Sequence, residues 1–371
     1  MSDRTTSRPT RLVLMNPGPV VTDDRVRSAL AGPDMCHREP EFSELMTRVR
    51  HKVTLVGGGD ERHTSVVLTG SGTCAVEAAV TSAVPADGAL LVVDNGHYGE
   101  RFQHIAATYG IRTRRLEFGW AAPVHLAAVD RALADDPGLT HVGVVHHETS
   151  SGMLNDVAAI ARIAHAHGRQ VIVDAVSSIG AERLSLAEDG IDWLAGSANK
   201  CLEGAPGLAF VCAARTAFEA LGGGPRRTYY LDLYRHHTAQ EKAAAPAFTP
   251  GIPAFHAFDA ALDLALAEGR QARHERYEGL ARQLRDGLER LGLELLLPAE
   301  QRAAALTAVR IPAGTGYGEL HRGLRAEGFV IYGVQEQLAE DFFRLSTMGR
   351  MTTGDIALFL TTLARLLPAH R

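Results

Sequence analysis

The chain has 371 residues, of which 46% are hydrophobic and 22% charged, so it can bury a substantial core as one large α/β domain or as two domains. Its net charge of -5 at pH 7 gives no general reason to expect nucleic acid or an anionic membrane as a partner. No apolar run approaches the roughly 20 residues of a membrane helix, and the first residues lack the apolar core of a signal peptide. The four cysteines have no CxxC spacing, which suits reduced thiols and predicts a cytoplasmic protein.

Short apolar runs that are typical of strands alternate with helical stretches over the first part of the chain. The predicted strands are Ser65–Leu68, Ala89–Val93, His141–His146, Gln170–Val173, Trp193–Ala195 and Leu208–Cys212. The predicted helices are Cys74–Ser82, Arg101–Tyr109, Leu126–Leu133, Val157–His167 and Ala214–Leu221. This alternation predicts right-handed βαβ crossovers and a largely parallel sheet with helices on both faces.

The pattern changes after about Pro253. A long helical pattern runs from about Ala254 to Leu291 and is followed by shorter elements that mix strand and helix. The shorter elements are predicted at Ala305–Ile311, Glu319–Glu327, Phe329–Tyr332 and Phe342–Ser346, with a closing helix from Thr353. The sequence therefore predicts a large domain over residues 16–253 and a small α+β domain over residues 254–371, which the N-terminal arm of residues 1–15 joins.

The loop after the first predicted strand is rich in glycine and opens a helix. It reads TGSGTCAVEAA, from Thr69 to Ala79. Glycine lets the backbone approach a ligand closely, and a helix N-terminus offers free N–H groups and the positive end of a dipole. Ser71 and Thr73 add hydroxyl donors. The pattern fits a phosphate group, although a simple helix cap gives the same sequence.

Two further loops carry single polar or aromatic side chains after strands. Tyr98, in DNGHYGERF, is placed either to stack on a planar ligand or to pack in the core. Asp174 ends the strand VIVD and can cap a helix, bind a metal, or pair with a ring nitrogen. We see no converging ligands for a metal there, so no metal site is predicted. A carboxylate that faces a cationic pyridinium would be charge-paired despite its burial.

Lys200 lies among small residues in GSANKCLEGAPG, 26 residues (200 − 174) beyond Asp174. Strand ends separated by one crossover can face the same pocket. A desolvated lysine there loses its proton readily and becomes a nucleophilic amine. A phosphate cradle, a stacking ring, a carboxylate for a ring nitrogen and an amine together are what pyridoxal 5'-phosphate requires.

The sequence motifs resemble those of one enzyme family over nearly the whole chain. The chain resembles the fold-type I, class V pyridoxal-phosphate aminotransferases, and within them most the 2-aminoethylphosphonate–pyruvate transaminases. The motifs that carry the resemblance are MNPGPV, CHREPEF, GSGTCAVEA, NGHYGERF, HHETSSGMLN, VDAVSSIG, SANKCLEGAPGLAFV, YYLDLYRHH and FRLSTMG. The resemblance implies a mostly parallel seven-stranded sheet in the large domain, which would bind the cofactor, and a smaller C-terminal domain.

The resemblance also implies a role for each site residue. Lys200 would form the Schiff base with pyridoxal 5'-phosphate, Asp174 would pair with the pyridine nitrogen, and Tyr98 would stack on the ring. The remaining implied contacts are Ser71, Gly72, Thr73 and Ser197 at the phosphate, Thr149 at the ring hydroxyl, Thr249 reaching the phosphate of the neighbouring subunit, and Arg344 binding the substrate acid. A homodimer with shared active sites follows from the placement of Thr249.

The implied reaction is amino transfer from 2-aminoethylphosphonate to pyruvate, or its reverse. Alternatives within the class are transaminases that use phosphonoalanine, or alanine or serine with glyoxylate. After FTP the chain reads Gly251-Ile252-Pro253-Ala254, where the phosphonate transaminases carry Thr-His-Thr, which leaves the amino donor open. A cysteine desulfurase is disfavoured because no cysteine follows Cys212.

Overall fold

The computed structural model describes residues 12–334 and 336–368, so residues 1–11 of the predicted N-terminal arm lie outside the described residues. The helices are α1 (Asp24–Ala29), α2 (Pro40–Val56), α3 (Gly72–Ala83), α4 (His97–Thr108), α5 (Leu126–Asp135), α6 (Val157–Ala166), α7 (Arg215–Ala220), α8 (Leu233–His237), α9 (Ile252–Glu268), α10 (Arg270–Arg290), α11 (Tyr317–Ala326) and α12 (Thr353–Leu366). Within the described ranges, no helix is both long enough and apolar enough to cross a membrane.

The strands form one large sheet and several small ones. In chain order they are β1 (Val13–Leu14), β2 (His63–Thr69), β3 (Ala89–Asp94), β4 (Arg112–Glu117), β5 (Leu139–Val145), β6 (His147–Glu148), β7 (Met153–Leu154), β8 (Gln170–Asp174), β9 (Trp193–Ser197), β10 (Leu208–Ala214), β11 (Leu306–Arg310), β12 (Phe329–Val330), β13 (Tyr332–Gly333) and β14 (Phe342–Ser346). The seven-stranded sheet has the order β2-β10-β9-β8-β5-β3-β4.

Six strands of the large sheet point the same way, which confirms the predicted α/β class. Strand β10 alone runs against them, because it pairs antiparallel with both β2 and β9. The strands β3, β4, β5, β8 and β9 pair in parallel. The carboxyl ends of β2, β3, β5, β8 and β9 therefore lie along one edge of the sheet, where ligands of such folds bind.

Strand β4 was not predicted from the sequence. It reads Arg-Thr-Arg-Arg-Leu-Glu and contacts a single neighbour, β3, at the edge of the sheet. The six predicted strands are buried between helices on both faces and therefore read as apolar runs. An edge strand with a solvated face does not need to be apolar. Because β4 is polar, a search for apolar runs does not find it.

The alternation of side chains along β3 divides the interior of the large domain into two layers. Leu91 and Val93 belong to the core cluster that includes helices α2 and α9, whereas Leu90 and Val92 belong to the cluster that includes α3 and α4. Successive strand residues point to opposite faces. Both faces of this strand are thus covered, which explains its unbroken hydrophobic sequence.

The C-terminal part of the chain forms a second core around a three-stranded antiparallel sheet of order β11-β14-β13. Helices α10, α11 and α12 pack on it, and the rings of Phe329 and Phe359 meet edge to face with their centroids 5.4 Å apart. Strand β1 of the arm pairs in parallel with β12. Helix α9 instead packs in the core of the large sheet through Phe255 and Phe258. The domain boundary at residue 253 stays a prediction.

The prediction of one long helix from about Ala254 to Leu291 is wrong. The structure has two helices, α9 and α10, which are separated at Gly269. Gly269 has φ 81° and ψ 149°, a conformation that side-chain-bearing residues avoid. Both segments have helical periodicity, so the hydrophobic pattern alone does not reveal the break.

Substitution of two glycines tests this backbone constraint. A Cβ would meet no atom within 4 Å at either Gly269 or Gly279. Gly269→Ala should lower the free energy of unfolding by about 1–3 kcal/mol because its φ and ψ suit glycine alone. Gly279→Ala, inside α10, should raise it by about 0.5–1 kcal/mol because alanine has the higher helix propensity. Denaturant unfolding of both variants checks the pair, and a Gly269→Ala protein as stable as the parent would contradict the assignment.

Candidate functional site

The carboxyl ends of the sheet strands surround one cavity of about 180 Å³. Seven of the residues singled out by the sequence line it: Ser71, Gly72, Thr73, Tyr98, Asp174, Ser197 and Lys200. Arg101, Val145, Val176, Ser177 and Asn199 complete the lining. The structure therefore brings together residues that are spread over 130 positions (200 − 71 + 1) of the sequence.

The glycine-rich loop places backbone and hydroxyl groups at the start of α3. Ser71 is the residue before the helix, and its side chain makes no capping hydrogen bond. A Cβ on Gly72 would lie 2.6 Å from Cγ1 of Val176, so only glycine allows this close approach. The loop thus presents free N–H groups and an uncommitted hydroxyl to the cavity, which is the arrangement that binds an anion.

Tyr98 lies in the first turn of α4 with its ring beside Lys200. Lys200 Nζ is 5.4 Å from the ring centroid. The Tyr98 backbone N–H donates to Glu148 Oε2 at 3.0 Å, and the Gly99 N–H donates to the same oxygen at 3.1 Å. The start of α4, and with it the aromatic ring, is held by this carboxylate.

Glu148 was missed as a functional residue by the sequence analysis. It is fully buried, and its Oε1 accepts from the Ser150 N–H at 3.1 Å and from the Ser150 hydroxyl at 2.6 Å. Burial raises the pKa of the Glu148 carboxyl, whereas these hydrogen bonds act in the opposite direction. A carboxylate at a helix N-terminus also interacts favourably with the helix dipole. Only its place in HETSSG hinted at this role.

Asp174 ends β8 at the floor of the cavity and is 4% exposed. Its Oδ1 accepts a hydrogen bond from the Val176 N–H at 2.9 Å. Burial raises the pKa of Asp174, and the charges of Lys200 and Arg101 partly oppose this shift. A cationic group bound in the cavity would stabilise the Asp174 carboxylate further.

Two buried hydroxyls, Ser197 Oγ in the cavity lining and Thr149 Oγ1 outside it, have no hydrogen-bond partner among the described residues. Both residues are 1% exposed. Buried polar groups are nearly always satisfied. Together with the amine of Lys200, the carboxylate of Asp174 and the anion-binding loop, they fit a ligand with a phosphate, a polar ring and a cationic ring nitrogen. Pyridoxal 5'-phosphate has these groups.

Arg344 lies on β14 of the second core and is 3% exposed. Its Nε donates to the Gly333 carbonyl at 3.0 Å, and its Nη1 donates to the Thr149 carbonyl at 3.0 Å. Burial lowers the pKa of the guanidinium. The two backbone contacts fix the plane of the guanidinium and leave further N–H groups for an acid. Arg344 is thereby linked directly to Thr149.

The N-terminal loop that carries NPGP packs beside Lys200. A Cβ on Gly18 would lie 3.1 Å from Lys200 Cγ and 3.5 Å from the Asn199 carbonyl oxygen. The Asn16 side-chain amide donates to the Pro19 carbonyl at 2.9 Å and fixes the loop. This segment therefore helps to position Lys200, which its motif alone did not indicate.

Thr249 is exposed and does not line this cavity. Its predicted contact with the phosphate of a neighbouring subunit stays a prediction. Nearby, Tyr229 is 70% exposed, and its ring centroid lies 5.7 Å from that of Phe248. The segment around Thr249 thus belongs to an aromatic surface.

The histidines of the HHETSSG motif are buried and serve the framework. Burial lowers the pKa of His146 to about 4 and that of His147 to about 3, so both are neutral at pH 7. His147 Nδ1 lies 3.0 Å from the Ser177 carbonyl and donates to it in that state. The pair helps to fix the loops around the cavity.

A larger cleft of about 710 Å³ lies between the segment at Glu182 and helix α10. Four acidic and four basic side chains line it: Glu182, Glu278, Asp286 and Glu289, and Arg183, Arg282, Arg285 and Arg302. Glu182 Oε1 accepts from the Ala304 N–H at 2.6 Å, and burial raises the pKa of this carboxyl to about 7. The charges of this cleft balance, and the described residues that line it include no lysine. The smaller cavity, which contains Lys200, is therefore the better candidate for covalent chemistry.

Comparisons with known proteins identify the family of the chain. The model of the family Aminotransferase class-V matches residues 26–326. The chain is 38% identical to the 2-aminoethylphosphonate–pyruvate transaminase of Vibrio vulnificus (strain YJ016), over 93% of this chain and 94% of that protein. It is 37% identical to the protein of the same name from Syntrophobacter fumaroxidans, over 93% of each chain.

Solved structures of aminotransferases match nearly the whole chain. The aspartate aminotransferase of subgroup IV from Thermus thermophilus superimposes with a TM-score of 0.88 at 30% identity. The match covers 96% of this chain and 100% of that one. The alanine–glyoxylate aminotransferase from Nostoc sp. has a TM-score of 0.91 at 26% identity, covering 99% of this chain and 98% of that one.

The buried carboxyl of Glu182 predicts a pH-dependent stability. Because the pKa of Glu182 is about 7 in the folded protein and 4.5 for an unperturbed glutamate, folding favours the protonated form. The contribution of the protonated carboxyl to the free energy of unfolding is complete below pH 4.5 and is lost as the pH rises through about 7. The free energy of unfolding of Glu182→Gln should therefore match that of the parent near pH 4 and exceed it by roughly 3 kcal/mol at pH 8.

Denaturant unfolding at several pH values checks this expectation. Glu188→Gln, at an exposed position, is the matched control, and its difference from the parent should not vary with pH. A Glu182→Gln protein whose difference from the parent is the same at pH 4 and pH 8 would show that this carboxyl does not titrate as described.

Proposed function

The chain belongs to the class V aminotransferase family, and from that premise we propose that it transfers the amino group of 2-aminoethylphosphonate to pyruvate. The products are phosphonoacetaldehyde and alanine, and the reaction is reversible. The protein is a pyridoxal-phosphate-dependent aminotransferase. The curated relatives named 2-aminoethylphosphonate–pyruvate transaminase are 36% to 38% identical over nearly the full chain, which supports the substrate pair.

The observation that carries the proposal is the meeting of Lys200 and Asp174 in one cavity with the loop at Gly72. Pyridoxal 5'-phosphate supplies, when bound, the electron sink that weakens the C–H bond beside the amine of the substrate. Lys200 Nζ removes the proton from the amine-bearing carbon of the donor and later delivers a proton to the acceptor. Asp174 keeps the ring nitrogen protonated through its carboxylate, which the Val176 N–H orients.

The other predicted cofactor contacts complete the binding of the cofactor. Ser71, Gly72 and Thr73 hold the phosphate at the start of α3, where helix N–H groups favour an anion. Tyr98 supports the ring plane. The buried hydroxyls of Thr149 and Ser197 have no partner among the described residues, and they would bond to the ring side and the phosphate side of the cofactor, respectively.

Arg344 binds the acid group of each substrate in turn. A guanidinium has a planar fork that suits both a carboxylate and a pair of phosphonate oxygens. Two of its N–H groups are committed to the carbonyls of Gly333 and Thr149, so its position does not change between the two half-reactions. A fixed cation can serve both substrates because they bind at different times.

The active enzyme is a homodimer with shared sites, in which Thr249 reaches the phosphate bound by the partner subunit. Support comes from the exposure of Thr249 and of the Tyr229 ring, since aromatic side chains are enriched at protein interfaces. We place the enzyme in the cytoplasm because all four cysteines are free.

An alanine–glyoxylate transaminase is the second candidate. The Nostoc enzyme of that name has a TM-score of 0.91 with this chain, although its identity is 26%. The departure at Gly251-Ile252-Pro253-Ala254 also leaves room for another donor, such as phosphonoalanine. The cofactor residues are compatible with each of these reactions.

A panel of amino donors distinguishes the candidates. With pyruvate as acceptor, we expect 2-aminoethylphosphonate to give a higher kcat/KM than phosphonoalanine or serine. With glyoxylate as acceptor, alanine and serine should be poorer still. Detection of alanine measures the rates with pyruvate as acceptor, and detection of glycine measures those with glyoxylate. A higher kcat/KM for alanine with glyoxylate would replace the proposed reaction by the second candidate.

Removal of the Lys200 amine should abolish both the covalent attachment and the reaction. The kcat of Lys200→Ala should be lower than that of the parent by a factor of at least about 10²–10⁴, the usual contribution of a positioned acid–base group. Treatment with borohydride should fix the cofactor to the parent protein and not to the variant, as mass spectrometry would detect. Lys242→Ala, at an exposed position, is the matched control and should behave as the parent does. Retained cofactor fixation in Lys200→Ala would show that another lysine is used.

A further inference from the structure

We propose that Arg101 belongs to the phosphate end of the cofactor site, where it makes the Thr73 hydroxyl a hydrogen-bond donor and supplies a fixed positive charge. Neither the sequence motifs nor the comparisons assigned a role to this residue. The inference rests on the proposed function, because it concerns the group that the cavity binds.

The geometry ties Arg101 to two other residues of the cavity. It lies on α4 one turn after Tyr98 and lines the cavity. Its Nη1 donates to Thr73 Oγ1 at 2.9 Å. Its Cζ lies 4.5 Å from the centroid of the Tyr98 ring, within the range of a cation–π contact. The guanidinium therefore connects the anion-binding loop with the stacking ring.

The contact with Thr73 decides which way the hydroxyl acts. A hydroxyl group has one hydrogen to donate and two lone pairs to accept with. Arginine can only donate, so Thr73 Oγ1 is the acceptor in this pair, and its own hydrogen remains free. A free O–H in the first turn of α3, beside unpaired helix N–H groups, is suited to donate to a phosphate oxygen.

The charges of the cavity lining also support a role for Arg101 at the phosphate. Among the described residues that line it, the cationic side chains are Arg101 and Lys200, and the acidic one is Asp174. Lys200 is assigned to the covalent bond with the cofactor, and Asp174 to the ring nitrogen. Arg101 then remains as the cation for a phosphate monoester, which carries about two negative charges at pH 7. Arginine suits such a group because its charge persists at any relevant pH.

A purely structural role would have a different signature. If Arg101 only supported the Tyr98 ring, its loss would weaken every ligand that stacks on that ring. Pyridoxal 5'-phosphate and pyridoxal share the ring, the aldehyde and the ring nitrogen, and differ in the phosphate. Comparison of their affinities therefore separates an effect on the phosphate from an effect on the ring.

The experiment is an equilibrium titration of cofactor-free protein with each compound, followed by absorbance. Arg101→Met should weaken binding of pyridoxal 5'-phosphate by about tenfold or more, the usual effect of losing a charged hydrogen bond. Its affinity for pyridoxal should change little. Thr73→Val should show the same selectivity, and Arg101→Lys, which keeps the charge, should lose less than Arg101→Met.

Control measurements keep the outcomes distinct. Arg162→Met, at an exposed position on α6, should bind both compounds as the parent does. Thermal melting shows whether Arg101→Met is folded, and Arg101→Lys serves if it is not. Equal losses for both compounds, or no loss for either, would overturn the role of Arg101 while leaving the proposed function intact. A parent protein that binds neither compound would overturn both.

Discussion

The site depends on the burial of a carboxylate, Asp174, at the end of a central strand, opposite the amine of Lys200. Isolated charges in such a place are costly, and burial accordingly raises the pKa of Asp174. In the proposed enzyme, a bound cationic ring would stabilise the Asp174 carboxylate, and the Lys200 amine would lose its charge on bonding to the ligand. The parallel strands bring these groups to one edge of the sheet. The fold thus buries a charge at a cost in free energy, which the cationic group of the proposed cofactor would offset.

Hydrogen bonds from residues around the cavity keep its side chains in place. Glu148 holds the first turn of α4 through the N–H groups of Tyr98 and Gly99. Arg344 is fixed by two carbonyls, one of which belongs to Thr149. Arg344 and Thr149 are thus parts of one hydrogen-bonded framework. Such preorganisation limits the reorganisation that the reaction would otherwise require.

The sequence predicted the central strands and most of the cavity, for physical reasons that also explain the failures. Strands such as β3 are covered on both faces and therefore read as apolar runs, whereas the polar edge strand β4 escaped notice. Asp174 and Lys200 could be found because they follow strands. Glu148 and Arg101 act through contacts between distant segments, which no local pattern contains. The break at Gly269 was hidden because both flanking helices have the same periodicity.

The N-terminal segment has a consequence for biosynthesis. Its strand, Val13–Leu14, pairs with Phe329–Val330 near the opposite end of the chain, and Gly18 lies a few residues later against Lys200. The ribosome releases the first of these partners long before the second. The strand pairing that anchors the segment beside Lys200 therefore cannot form until translation is nearly finished, and a prematurely terminated polypeptide would lack it even with every residue of the large sheet present.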